Sequence, residues 1–536
     1  MKKNLFIRII STFVFSLILY YFMLPPINLH AFSFYMYLIM VIAFYLVISI
    51  PSLFSNIITS RRGHINFNIK FENKSIKYLF LIVVLIIPVI LLVNFILSPV
   101  FNSKTYYERI NINEEGNFEA DVKEVDFDHI PLLDKDSSRK LGDRVMGQMT
   151  DLVSQFYVSE LYTQINYNDE IIRVTPLEYS SMIKYFTNRK EGIPAYITVD
   201  SVDGEAKLNR LSKGMKYMPS SLFFENLYRK LRLEYPTLIF GTESFEIDNE
   251  GNPYWIVPII KYTGIGLRRD VNGVIIFNPV DGTSKKYDIK DIPTWVDHVY
   301  NADLIIEQVN DWGLYKNGFL NTLFGQKEVV STTEGYNYTI MNDDVYLYTG
   351  ITSVVSDESN LGFILTNMRT GNTVYYAVPG AEEYSAMSSA QGQVQDMGYT
   401  STFPLLINLK GKPTYLVSLK DSSGLVKMYG FIDVQDYQKV VVTDASKGII
   451  VAKDNYLKSI KKEVKDDELI KKEITIKSVT TANINGYTYY YITDENNKYK
   501  VSITLSDTLP FKKAGDKLTI GYYESSSEVI EVEKLY

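Results

Sequence analysis

Four histidines, at positions 30, 64, 129 and 298, are the only imidazoles in 536 residues, and there is no cysteine. Zero cysteine excludes disulfides, thiolate nucleophiles, Cys-ligated zinc and iron–sulfur clusters. Beyond the first hundred residues only His129 and His298 remain, which excludes a metal site built from several histidines. His298 follows Asp297 and lies near Trp295 on a helix-like stretch, where a surface or capping role suits it better than general base. The sequence has no G-x-S-x-G elbow, no Walker A loop and no H-E-x-x-H pair. Gly264-Ile265-Gly266 lacks the third glycine of a phosphate cradle and runs into Arg268-Arg269, so it reads as a turn or bulge. Acidic groups cluster at Asp200, Asp203 and Glu205, at Asp248-Asn249-Glu250, and at Asn342-Asp343-Asp344. None completes a twelve-residue calcium loop. Hairpin-turn chemistry accounts for Asp and Asn at such places. Carboxylates are abundant, but sequence cannot bring two of them to the roughly 5–9 Å of a glycosidase. These residues therefore assign no catalytic group, no metal and no cofactor. The aromatic content is another matter: 42 Tyr, 28 Phe and 3 Trp. Tyr-rich strands can stack on sugars or peptides, and Tyr487, Tyr489 and Tyr491 share one strand face, with Tyr490 on the other, but the β propensity of Tyr and the composition of an AT-rich genome account for them better.

The elements that carry these residues divide sharply by charge. Residues 1–103 hold eight basic residues and one acidic, a net of +7, whereas the remaining 433 carry −14. A chain that is −7 overall, with pI near 5.5, is not a general nucleic-acid binder. Between Ile9 and Ser60 there is no Lys, Arg, Asp or Glu. Apolar runs at 9–24, 34–57 and 78–101 are each near the ~20 residues needed to cross a bilayer core. They predict three transmembrane helices and a membrane-lipid environment. The first run has the basic flank of a signal peptide, but bulky residues from Phe22 to Pro26 offer no cleavage site, which predicts a retained helix. Lys2, Lys3 and Arg8 before the first run, and Arg61, Arg62, Lys70, Lys74 and Lys77 before the third, place both basic segments in the cytoplasm. The N-terminus is then inside and the acidic 433 residues outside. Pro51, Pro88 and Asn94 within the spans read as kinks and a helix–helix contact.

The exported part repeats itself, with a strand, a Gly turn, a second strand, a proline and a helix-like stretch. The copies are Ala195–Leu208, Gly273–Ile289 and Gly362–Val378, with turns at Asp203-Gly204, Asp281-Gly282 and Thr370-Gly371. Asp-Gly between alternating apolar runs is a strong hairpin signal. Pro219, Pro293 and Pro379 suit helix starts. A helix is also expected from Asp136-Ser137-Ser138 onward, its apolar stripe running to Leu161. The mixed-charge stretch 453–473 predicts a solvated linker helix. After it, 474–536 predicts a small all-β barrel. The fold class is thus α+β: three spans (1–103), a mixed entry region (104–190), about three hairpin–helix units (191–452), the linker and the barrel.

The units with turns Val199–Glu205, Pro279–Thr283 and Met368–Asn372 resemble the PepSY domain, over about 190–440. That resemblance implies an exported or membrane-tethered protein; some such domains modulate peptidases, and the family supplies no catalytic residues. The C-terminal strands resemble an OB-fold, whose barrels bind oligonucleotides or oligosaccharides; export disfavours nucleic acid. The expected function is a non-enzymatic, membrane-anchored extracytoplasmic envelope protein that binds a protein, peptide or wall polymer, for instance through strand edges. The alternatives are a subunit of a membrane transport or secretion complex and a carboxylate-dependent envelope hydrolase. Absent cysteine and heavy Tyr, Asn and Lys usage suit a low-GC Gram-positive source.

Overall fold

A computed structural model describes residues 2–54, 74–354, 356–460, 469–484, 487–523 and 529–536. Arg61, Arg62, His64 and Lys70, and the Asn485-Gly486 turn, lie outside the described residues. The chain is a mixed α+β protein with three N-terminal helices long and apolar enough to cross a membrane. They run Lys2–Met23, Phe32–Phe54 and Lys74–Ile96. Their large side chains are exposed, Leu17 and Val84 among them, as suits helices whose solvent is lipid. Where the first two meet, Phe15 stacks on Phe44 with ring centroids 4.0 Å apart, and Ser16 Oγ lies 2.6 Å from Tyr37 Oη. The third helix stops at Ile96 rather than at 101. Pro99 then starts a separate helix, Pro99–Tyr107, bent at Asn102.

The chain divides into two compact bodies. The larger comprises 1–427 and 432–438; the smaller comprises 428–431 and 439–536. In the larger body the first antiparallel sheet joins Thr163–Tyr167, Glu170–Tyr179, Ile193–Asp200 and Ala206–Met215, with Phe156–Val158 at one end. The second joins Ser244–Ile247, Pro253–Thr263, Arg268–Phe277 and Ser284–Tyr287. The third joins Asn337–Met341, Asp344–Ser353, Ser356–Asn367 and Thr373–Tyr376. A further hairpin pairs Leu405–Leu409 with Lys412–Lys420. The first sheet therefore begins well before 191, because Ile193–Asp200 pairs with Glu170–Tyr179, which in turn pairs with Thr163–Tyr167.

Helices do not start at the prolines. Asn226 caps Leu227–Glu234 and Asn301 caps Ala302–Tyr315, each accepting a backbone N–H three residues on; Glu383–Gly392 begins four residues after Pro379. Asn at the cap satisfies an otherwise orphaned donor, and here it sets the start in preference to the prolines. Ile305, Val309 and Trp312 of the Ala302 helix are buried against Val345, Leu347 and Ile364 of the third sheet and Met368 just after it. The helix packs on the sheet that follows it, because its apolar stripe seeks burial rather than sequence order. Likewise, the helix Lys135–Gln148 buries Met146 in the core of the first sheet. That helix is capped by Asp134, not by the Asp136 cluster, and it ends before 149; Phe156–Val158 is already strand.

Two apolar cores hold most of the larger body together. One spans the first two sheets, with Leu177, Tyr196, Phe245, Trp255 and Phe277 nearly inaccessible. The other is the Ala302 helix on the third sheet. Burial of such side chains contributes ~1.5–3 kcal/mol each.

In the smaller body, helix Ile449–Ile460 stacks Tyr456 on Phe431 at 5.7 Å. The charged stretch is not one helix: 461–468 lie outside the described residues, and Ile470–Thr475 is a strand paired with Lys517–Tyr522. The C-terminal part forms two sheets, Ile470–Thr475/Lys517–Tyr522/Lys534–Leu535 and Ser478–Ile484/Tyr487–Thr493/Lys498–Ser502/Val529–Val532. Among the described residues their ladders do not join into a closed barrel. Tyr490 and Ile492 point into the core, while Tyr489 and Tyr491 lie on the half-exposed face.

Candidate functional site

The three predicted turns share one geometry. In the first, Asp200 Oδ1 accepts the N–H groups of Val202 and Asp203, and Asp203 Oδ1 accepts that of Glu205. In the second, Asn278 and Asp281 do the same for Val280, Asp281 and Thr283. In the third, Asn367 serves Arg369 and Thr370, and Thr370 Oγ1 accepts from Asn372. Gly204, Gly282 and Gly371 take φ of +81°, +76° and +78°, which side chains other than hydrogen resist. The six turn residues do not meet in one place. Instead, each turn presents the carbonyl after its Asx residue to an upstream connection. Ser201 O accepts from Leu133; Pro279 O from Lys216 and Tyr217; Met368 O from Val299 and Tyr300. A fourth turn, missed in the sequence because it has no glycine, follows the rule: Asp433 Oδ1 takes the N–H of Gln435 and Asp436, and Val434 O accepts from Ala381. Each of the four turns thus ties its hairpin to a connection earlier in the chain.

The acidic clusters are likewise spent on the fold. Asp248 Oδ1 accepts from Glu250 and Asn252, and Asp344 pairs with Arg369 at 2.7 Å. No group of three or more His, Asp or Glu able to hold a metal occurs among the described residues. His298 Nε2 lies 2.6 Å from Gln164 O, His30 Nδ1 lies 2.9 Å from Gly264 O, and exposed His129 pairs with Asp126. The most buried carboxylate pair is Glu246 and Asp297, 0% and 1% exposed. Glu246 accepts the N–H groups of Asp297 and His298, and Asp297 accepts that of Asn166. Burial, and next the charge of Glu246, push the Asp297 carboxyl well above the usual range. The pair ties the first two sheets together and opens onto no cleft.

A cavity of about 450 Å³ lies where four remote stretches converge. Its wall takes Leu133, Asp134 and Lys135 from the entry segment, Tyr162 and Arg173 from the first sheet, Tyr336 and Tyr338 from the start of the third, and Phe403 and Ser418 from the last hairpin. Such a volume lined by aromatics and a few polar groups matches small-ligand sites. Arg173 is 6% exposed and sits in the apolar strand run Ile171–Val174. Its guanidinium donates to Leu133 O, to Ser138 Oγ at 3.2 Å and to Gln164 Oε1 at 2.6 Å, all neutral acceptors. Among the described residues no carboxylate comes within ion-pair distance of it, and burial lowers its pKa to about 10 against the opposing pull of Asp134. Asp134 itself is held below the usual carboxylate range: burial opposes, but hydrogen bonds from Lys420 and Ser137 prevail. Tyr162 Oη is buried without a hydrogen-bond partner, and burial raises its pKa. Sequence reasoning passed over this site because its residues are scattered; the one available signal was a lone arginine inside a strand otherwise apolar at that point.

The body that holds the cavity also grips the spans. Asn94 exchanges two hydrogen bonds with Ile265, Gly266 N–H donates to His30 O, Arg232 Nε donates to Leu24 O, and Ile27 N–H donates to Pro236 O. Asn94 thus contacts the Gly264–Gly266 turn instead of another span. Nearby, Arg109 is buried among Asp270 at 3.2 Å, Glu307 at 3.0 Å and Asp311, tying the residues after the third span to the Ala302 helix. No family model matches this chain, and no curated protein matches it.

Proposed function

We propose that this chain is a membrane-anchored, extracytoplasmic cell-envelope protein that binds or regulates a protein, peptide or wall polymer without catalysing a reaction. The N-terminus is cytoplasmic and the acidic region lies outside. The PepSY-like turns act as inter-unit joints in this reading, and the OB-like C-terminal sheets are an accessory module. The observation that carries the reading is the 450 Å³ cavity, walled by Tyr162, Tyr338 and Phe403 around a guanidinium that forms no ion pair among the described residues. A buried cation without a counter-charge costs stability, and a bound anionic group offsets that cost. A carboxylate-bearing peptide or an acidic wall fragment fits this chemistry.

The reading as a membrane-complex subunit has one observation in its favour: the spans are bonded to the folded region and not joined to it by a free tether. The hydrolase reading has its best carboxylates in Glu246 and Asp297, which are almost wholly buried and accept backbone N–H groups. The deciding experiment is crosslinking and co-purification of the full-length protein from its native membrane, read by mass spectrometry, for the wild type and Arg173→Leu. A retained acidic peptide or wall fragment that Arg173→Leu loses supports the binding reading. A stoichiometric membrane protein retained by both supports the complex-subunit reading.

A further inference from the structure

Two apolar patches border the ends of the spans without belonging to them. In the first, Ile183 and Phe186 of helix Met182–Asn188 lie beside Phe223 and Phe224; the four are 74%, 52%, 49% and 65% exposed. The Phe186 and Phe223 rings are 6.1 Å apart. Arg229 fixes this patch to the first span: it donates to Phe223 O at 2.5 Å and to Tyr21 O at 3.4 Å, and its guanidinium lies 4.0 Å from the Tyr21 ring centre. The second patch is Leu320 and Phe324, 69% and 84% exposed. It follows Gly318, whose outer face approaches Ser103 of the helix that succeeds the third span. On that helix Phe101 packs edge-on to Phe95, 5.3 Å away. Both patches therefore adjoin the ends where the first and third spans emerge.

Charge points the same way. Residues 180–190 contain Lys184, Arg189 and Lys190 and no acid, and 313–327 contain Lys316 and Lys327 and no acid, in a region that is −14 overall. Arg189 and Lys316 also pair with Glu225 and Glu114. Large apolar side chains flanked by basic ones are the composition of segments that sit in the headgroup layer. Water contact at four large aromatics and two aliphatics has no return in folding stability; burial in lipid does.

We propose that these two patches are a lipid-contact collar: they insert into the interfacial layer of the bilayer on the side where the first span ends, seating the folded region on the membrane surface. This rests on the reading of the apolar helices as membrane spans. The chain has no cysteine, so one introduced thiol gives one label. Full-length Phe224→Cys and Phe324→Cys, each carrying an environment-sensitive fluorophore, are placed in vesicles of phosphatidylcholine and phosphatidylglycerol with and without lipid spin-labelled near the headgroup. Leu17→Cys, on the first span, is the lipid reference. Tyr437→Cys, which lines a shallow depression with Tyr384 and Ser388, is the aqueous reference. The proposal expects a blue shift and quenching at 224 and 324 approaching those at 17, with neither at 437. Quenching at 17 but not at 224 and 324 overturns it, as does a blue shift there without lipid quenching, which would mean a protein covers the patches. Absence of quenching at 17 would instead refute the reading of the spans.

Discussion

Asn94 and Ile265 are joined as if they were neighbours on two strands: Nδ2 donates to the Ile265 carbonyl and Oδ1 accepts the Ile265 N–H, both at 2.9 Å. One side chain at the end of an apolar helix thereby satisfies both backbone groups of a turn 171 residues away. Asn94→Leu keeps the volume and removes both bonds. It should cost about 1–3 kcal/mol, because the turn's donor and acceptor lose their partners. Hydrogen exchange in the full-length protein should quicken at Ile265 and its neighbours. Unchanged protection there would mean that the docking depends on the other contacts.

The Arg109 cluster calls for a larger effect. Burial works against the arginine's charge, yet Asp311, Asp270 and Glu307 together hold its pKa above the ordinary value. Arg109→Met leaves three carboxylates facing one another. Loss of ~3–5 kcal/mol is expected, as for other broken buried ion pairs. Adding Asp311→Asn should recover part of it. Equal stabilities for the single and double variants would show the network to be uncoupled.

The turn joints make a steric prediction. A methyl group at Gly282 would lie 2.5 Å from the Tyr217 ring, on a backbone with φ of +76°. Gly398 has φ of +64° and nothing within 4 Å of the same position. Gly398→Ala therefore measures backbone strain alone, about 1 kcal/mol. Gly282→Ala should cost clearly more, and Gly282→Ala with Tyr217→Ala less than the sum of the two changes. Equal losses at 282 and 398 in denaturant titrations would remove the ring contact from the account.

Glu178 predicts a pH dependence. Its carboxyl is 5% exposed and receives the N–H and Oγ–H of Ser220. Burial raises its pKa to about 7; the Ser220 bonds oppose the rise and Glu243 adds to it. The folded state thus holds this proton more tightly than the unfolded chain, whose value is about 4.3. Its contribution is neutral in acid below the unfolded value and turns increasingly unfavourable as pH rises to about 7, to a limit of roughly 4 kcal/mol. Glu178→Gln should raise thermal stability at pH 8 and make little difference at pH 4. The same offset at both pH values would mean that the carboxyl is not protonated in the fold.

Much of this architecture was legible in the chain. Charge-free apolar runs revealed the three helices, since nothing else reads that way over twenty residues. The Asp203-Gly204, Asp281-Gly282 and Thr370-Gly371 turns were legible because a left-handed position demands glycine. Helix phase was not: Pro219 and Pro293 stand where a start is allowed, while Asn226 and Asn301 actually cap. Ile112–Gly116 was invisible as a strand, because INEEG has no alternation and is held by parallel pairing to Thr373–Tyr376. The cavity was invisible for a related reason. Leu133, Arg173, Tyr338 and Phe403 carry no shared spacing, and only tertiary structure brings them together.

The entry segment has a consequence for the order of events in synthesis. Residues 112–134 come soon after the helix Pro99–Tyr107, yet many of their partners come late: Thr373 for Ile112, Asn408 for Val122 and Val125, Lys420 for Asp134. While the ribosome builds the first two sheets, Ile112, Val122 and Val125 lack these partners, and only the end of the stretch, at Leu133, finds a mate in the first sheet. Closure over separations of 286 residues is the slowest kind of contact to find. The first part of the folded region to be made is therefore the last to be fastened, and a chain halted before residue 420 would hold most of its strands but lack its clasp.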